Sequence, residues 1–224
     1  NLSFKMMPGQ TTAVIGSTGS GKSTLADLLL RIHDIQQGSI TIGGTDIRVF
    51  SQKVLRERIG CVPQKAFLFS GTIADNLRMG REQATDEELW TALRIAQAED
   101  FVKKLPKGLD SPVAQGGTNF SGGQRQRLSI ARALVKNADV FLFDDSFSAL
   151  DVKTDAALRT ALRKNVKAPA KLVIAQRVSS IMDADQILVL DQGRLVGIGT
   201  HDTLLENCEV YRAIAESQMN ERGA

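Results

Sequence analysis

Gly16-Ser17-Thr18-Gly19-Ser20-Gly21-Lys22-Ser23-Thr24 decides how the rest of this 224-residue chain is read. Before it, Thr11 to Ile15 is apolar and β-branched, the composition of a buried strand. After it, Leu25, Leu28, Leu29 and Ile32 recur at helical spacing. A strand, a glycine-rich turn and a helix are the setting in which G-x-x-x-x-G-K-[ST] cradles phosphate. Glycines let backbone N–H groups curl around an anion, and the helix start adds a positive dipole end. Lys22 can reach the outer phosphates, and the Ser23 hydroxyl can ligate Mg²⁺. The bland alternative is a Ser/Gly-rich turn between strand and helix.

Working outward, composition narrows the class. With 42% hydrophobic residues the chain can bury one large core, or a core and a small subdomain. No run reaches the ~18 apolar residues of a membrane span, and the N-terminus is not a signal peptide. The net charge is +3, but the basic residues are scattered and aromatics are 5%, so no nucleic acid partner is expected. Cys61 and Cys208 form no metal or redox motif and read as thiols in a reducing compartment. The chain enters a strand-like run, Leu2 to Met6, directly after Asn1. That abrupt start leads us to expect a fragment of a longer polypeptide.

Further strands are expected at Ser39 to Ile42, Cys61-Val62, Val140 to Phe143, Leu172 to Ala175 and Gln186 to Leu190. Arg194 to Ile198 closes a hairpin across Asp191-Gln192-Gly193. A helical segment should end over Leu55 to Ile59, and Thr72 to Lys104 is helical in pattern. Pro106 to Ser121 reads as loop and Gln124 to Lys136 as helix. A short helix is expected at Val178 to Met182, and others start near Thr203 and Val210. Strands alternating with helices imply an α/β fold with a mainly parallel sheet, interrupted by an all-helical insert from Gln64 to about Lys136.

Asp144 ends an apolar strand, which in a phosphate-loop fold places a carboxylate beside Ser23, able to hold Mg²⁺ through water. Asp145 follows where a general base for an attacking water would sit. Ser121-Gly122-Gly123-Gln124 offers a second anion site at a helix start, with free N–H groups and a hydroxyl.

Gly16 to Thr24, Gln64, Phe120 to Gln124, Phe141 to Asp145 and Ser148 to Asp151 stand in the order and spacing of the ABC transporter nucleotide-binding domain. They resemble its Walker A, Q-loop, signature, Walker B and D-loop. Phe67 to Ile73, Asp75-Asn76-Leu77 and Gly199 to Asp202 resemble the exporter branch. The resemblance implies a P-loop NTPase (RecA-like) core with a small antiparallel β part over 1–64 and 137–224, and a helical subdomain over 65–136. It implies a head-to-tail dimer that sandwiches two ATP, each between one subunit's phosphate loop and the other's signature. Gln64 would touch Mg²⁺ and link the core to the helical part. That part would meet a transmembrane domain of the same polypeptide, at the cytoplasmic face of a membrane.

The departures from the pattern fall on one side. The family's catalytic Glu is Asp145 here, its switch His is Gln176, and the acidic loop before the signature carries Gln115. The histidines present, His33 and His201, read as structural. The family's adenine-stacking aromatic is expected on sequence upstream of Asn1, since Tyr211 is at the wrong end and Phe4 lies too close to the loop. What serves the chain's own ATP is impaired, while Ser121 to Gln124, which serves a partner's, is intact. The pattern resembles the degenerate half of a heterodimeric exporter. The alternatives are an active half of a homodimeric exporter, or a soluble ABC ATPase without transport.

Overall fold

A computed structural model describes residues 2–220. Asn1, on which the expectation of a fragment rests, lies outside them. The first strand, β1 (Thr11–Gly16), runs into the glycine loop and then α1 (Lys22–Leu29). A two-residue hairpin, β2 (Thr41–Ile42) and β3 (Thr45–Asp46), turns at Gly43-Gly44, where both glycines have positive φ. α2 (Gln52–Glu57) leads into β4 (Ile59–Val62), so Ile59 opens a strand rather than closing a helix.

The next segment holds β5 (Gly71–Thr72), α3 (Ile73–Arg78), α4 (Asp86–Ile95), α5 (Glu99–Lys103), β6 (Pro112–Val113) and α6 (Gly122–Leu134). It is not all-helical. β5 and β6 pair antiparallel, and Ile73 N–H donates to the Ser111 carbonyl, which ties the start of α3 to the loop before α6. Thr72 and Thr85 each close a capping box, which is why α3 and α4 begin where they do.

The chain returns through β7 (Val140–Asp144), α7 (Val152–Asn165), β8 (Ala170–Ile174), β9 (Gln186–Asp191) and β10 (Arg194–Gly199) to α8 (His201–Asn207) and α9 (Glu209–Asn220). α7 was not expected from the sequence. Its apolar stripe is narrow, with only Leu158 and Leu162 buried, although Asp151 caps it by accepting from Thr154 N–H at 2.9 Å. Val178 to Met182 shortens to a single 3₁₀ turn, Val178–Ser180.

Six strands form one sheet in the order β10-β9-β1-β8-β7-β4, parallel except for the antiparallel edge β10. Both faces are covered, so the strands read as continuous apolar runs. Ala13, Ile15, Phe141, Phe143, Val173 and Val189 face a core shared with α6, α7 and α9. Val14, Leu142, Leu172, Ile174 and Leu188 face α1 and α2. Each fully buried side chain of this size contributes about 1.5–3 kcal/mol.

Leu2 to Met6 is not a strand. Leu2, Phe4 and Met6 alternate inward against the second core, but the run pairs with no strand among the described residues. Alternation alone does not make a strand; a ladder partner does.

One consequence of parallel pairing matters for function. The carboxyl ends of β1, β8, β7 and β4 emerge at the same edge, delivering the glycine loop, Gln176, Asp144-Asp145 and Gln64 to one crevice.

Candidate functional site

The glycine loop is shaped by close approach. A Cβ at Gly16 would run into the Leu190 carbonyl oxygen and lie 2.6 Å from Ser20 Oγ. Gly19 and Gly21 have φ of +81° and +101°, values that favour glycine. The β9–β10 turn braces the loop, with Gly193 N–H donating to the Ser20 carbonyl at 3.2 Å. Gly16→Ala is therefore expected to destabilise the domain by about 3 kcal/mol or more, because the obstacle is backbone that cannot swing away. A denaturation midpoint indistinguishable from wild type would contradict this packing.

Lys22 lies across the loop, its Nζ donating to the carbonyls of Gly16 at 2.7 Å and Ser17 at 2.8 Å. Burial pulls its ammonium below the usual lysine range, opposed by the carboxylates of Asp145 and Asp144. No side chain caps the start of α1, and its first turn carries no acid. A helix start with orphan N–H groups, a lysine and a glycine loop fit a phosphate chain. If Mg²⁺ is bound here, the Ser23 hydroxyl, the Asp144 carboxylate and the Gln64 amide are the hard oxygen donors that would hold it. Burial pushes Asp144 above the usual carboxylate range, helped by Asp145 and Asp27 and opposed by Lys22. A nearby divalent cation would compensate that crowding of negative charge.

Asp145 is the hub. Its backbone is left-handed, with φ of 44°, a region in which Asp is better tolerated than most side chains. Its N–H donates to the Ile174 carbonyl at 2.8 Å, and its own carbonyl accepts from Ser148 Oγ at 2.8 Å. Both Gln64 Nε2 and Gln176 Nε2 donate to the same carboxylate oxygen, Oδ2, at 3.0 and 2.8 Å. The structure thus joins Asp145, Gln176 and Gln64, three residues singled out separately in the sequence.

Ser121 to Gln124 lies apart: among the described residues, no hydrogen bond or ion pair joins it to the glycine loop. Its surroundings differ from expectation. Ser121 Oγ accepts from Gln124 N–H at 3.2 Å, and Gln124 Oε1 accepts from Ser121 N–H at 2.9 Å. This capping box engages two of the donors that the sequence left free. The N–H groups of Gly122 and Gly123, at the helix start, keep no intrahelical partner. Arg125 steadies the approach by donating to the Phe120 carbonyl at 3.1 Å.

Two residues were missed by the sequence reading. Gln126, buried in α6, donates to the Pro63 carbonyl at 3.3 Å and ties α6 to the segment carrying Gln64. Gln218 of α9 bonds the backbone on either side of Arg177. A polar residue in phase with buried Tyr211 and Ala215 is the signal that could have found Gln218. Tyr211 itself is buried, its hydroxyl 2.8 Å from His201 Nδ1. His201 is thus a packing partner of α9.

A parallel sheet whose strand ends carry a glycine-lysine phosphate loop, with paired aspartates beside it, defines a nucleotide-binding P-loop NTPase. The family model described as "ABC transporter" matches residues 1–148. The chain belongs to the ABC transporter family, as an ATP-binding domain of the exporter type. It is 49% identical over 221 residues to an uncharacterized ABC transporter ATP-binding protein of Mycobacterium bovis, covering 97% of this chain and 38% of that protein. An ATP-dependent lipid A-core flippase of Saccharophagus degradans is 46% identical over 219 residues, covering 98% of this chain and 37% of the flippase. A solved bacterial Atm1-family ABC exporter with ATP bound superposes with a TM-score of 0.92 at 41% identity, covering 97% of this chain and 38% of that one. The chain therefore spans under two-fifths of the length of these relatives. No helix among the described residues is long and apolar enough to cross a membrane.

Proposed function

We propose that this domain binds Mg-ATP at a slowly hydrolysing site of its own and lends its signature to the ATP of a partner domain, head-to-tail in a heterodimeric exporter. The observation that carries this reading is the clasp on Asp145, a carboxylate whose Oδ2 is held by two glutamine amides where a free base would be needed. Asp145 is also one methylene shorter than Glu, and Gln176 can donate a hydrogen bond but cannot carry a proton. A general base is worth roughly 10²–10⁴ in rate, so its loss leaves binding intact and hydrolysis slow.

In this reading Gly16 to Thr24 wraps the phosphates, with Lys22 facing the outer ones. Ser23, Asp144 and Gln64 hold Mg²⁺, and Ser121 to Gln124 serves the partner. When bound, Mg-ATP supplies the phosphoryl group transferred to water. Residues 65–136 act as the helical subdomain and 1–64 with 137–224 as the core. A transmembrane part of the same polypeptide meets the helical subdomain, with the domain at the cytoplasmic face of the membrane. Phe67 and Phe69, each 47% exposed, support that docking face, as does Arg132, whose guanidinium lies over the Phe69 ring and whose buried Nη1 has no hydrogen-bond partner among the described residues.

Lys22→Ala and Asp144→Asn, made in the full-length transporter, are expected to weaken Mg-ATP binding at this site, since each removes charge facing phosphate or metal. Site-resolved photolabelling with a nucleotide analogue checks this. Unchanged occupancy would remove both residues from these roles.

A further inference from the structure

We infer that Gln218, on the C-terminal helix α9, is a positioning residue that sets where the Gln176 amide meets Asp145. The inference rests on the site reading above and deepens it.

Arg177 is extended, with φ −108° and ψ 127°. In an extended chain the carbonyl of the preceding residue and the N–H of the following one point to the same side. The Gln218 amide matches that pair. Its Nε2 donates to the Gln176 carbonyl at 2.7 Å, and its Oε1 accepts from Val178 N–H at 2.8 Å. A side-chain amide is the group that can satisfy a donor and an acceptor at once.

The helix that carries Gln218 is itself well held. Tyr211 and Ala215 are buried on the same face, and Tyr211 bonds His201. Arg212 donates to the carbonyls of Leu205 and Glu206 at the end of α8. One residue then separates this anchored helix from the hub: the Gln176 backbone is gripped by Gln218, and its side chain reaches Asp145 Oδ2. On the far side of the same oxygen stands Gln64, next to Pro63, whose carbonyl is held by Gln126 of α6. Asp145 is therefore the meeting point of two arms, one from the C-terminal helix and one from α6. In the first arm Gln218 grips the backbone on either side of Arg177, whereas in the second Gln126 holds the Pro63 carbonyl.

The test uses the full-length transporter with its partner, the partner's own base removed so that only this site turns over. Gln218→Met keeps length and removes both hydrogen bonds. Gln218→Glu keeps the acceptor for Val178 N–H but sets a carboxylate against the Gln176 carbonyl. Hydrogen exchange of the Val178 amide, measured without nucleotide, is expected to rise in Gln218→Met and to stay near wild type in Gln218→Glu. Single-turnover hydrolysis should rise about fivefold in both variants, with unchanged ATP affinity, because a loosened Gln176 amide releases Asp145 Oδ2. In a Gln176→Ala background Gln218→Met should have no further effect. An equal change in both backgrounds, or a wild-type rate in Gln218→Glu, would mean that Gln218 merely docks α9 and would overturn the proposal. A brisk wild-type rate would instead sink the slow-site reading, while the cycle still reports on Gln218.

Discussion

Ser121→Arg, in the full-length transporter, is expected to reduce ATP hydrolysis and transport by about 10²–10³-fold, the loss typical when a donor aimed at developing charge is removed. Two effects combine. Arginine cannot accept the Gln124 N–H that Ser121 Oγ now takes, so the start of α6 loses its cap at a cost of about 1 kcal/mol. More important, a long cation replaces a hydroxyl at the surface proposed to close over the partner's phosphates. The loss should appear at the partner's site and leave nucleotide affinity of this domain's own loop unchanged. Ser121→Thr, which keeps an accepting hydroxyl, is the control and should retain most activity. If Ser121→Arg hydrolyses ATP at more than half the wild-type rate, the signature does not serve a nucleotide.

The second large effect is a gain. Asp145→Glu combined with Gln176→His is expected to raise single-turnover hydrolysis at this domain's own site by about 10²-fold, the lower end of what a placed base contributes. The changes belong together, since residues acting as a unit are not additive. Asp145 accepts from both Gln64 and Gln176, so lengthening its side chain alone would leave the clasp partly in place. Histidine at 176 removes one of the two amides and adds a group that can carry charge. The left-handed backbone at 145 works against the gain, because a longer side chain there costs about 1 kcal/mol. Turnover is read in the heterodimer with the partner's base removed. Should Asp145→Asn abolish a rate that was already brisk, Asp145 is a working base and the domain an ordinary ATPase.

The frame of the molecule was legible in the chain because its signals are local. Thr11 to Thr24 contains strand, turn and helix in one stretch, and the apolar runs at Val140 to Phe143 and Gln186 to Leu190 announce strands covered on both faces. Parallel pairing then follows from the intervening helices. Signals that were weak locally were lost. α7 buries only Leu158 and Leu162, and Leu2 to Met6 alternates without a partner. Ser121 was singled out correctly as a helix start, but the reach of Gln124 back to it was not read, so two donors counted as free are engaged.

By itself, the sequence determined the phosphate loop, the aspartate pair, the order of motifs and the substitutions at 145 and 176, because each depends on residue type and short spacing. The tertiary structure decided what those substitutions do to one another. Gln64 lies 81 positions from Asp145, Gln176 lies 31 from it, and Gln218 lies 42 from Gln176. Such contacts arise only when parallel strands bring their ends to one edge and α9 folds back across the sheet. The left-handed turn at Asp145 has the same origin: a backbone bond to Ile174 on the neighbouring strand and one from Ser148 hold the residue where its carboxylate meets both amides.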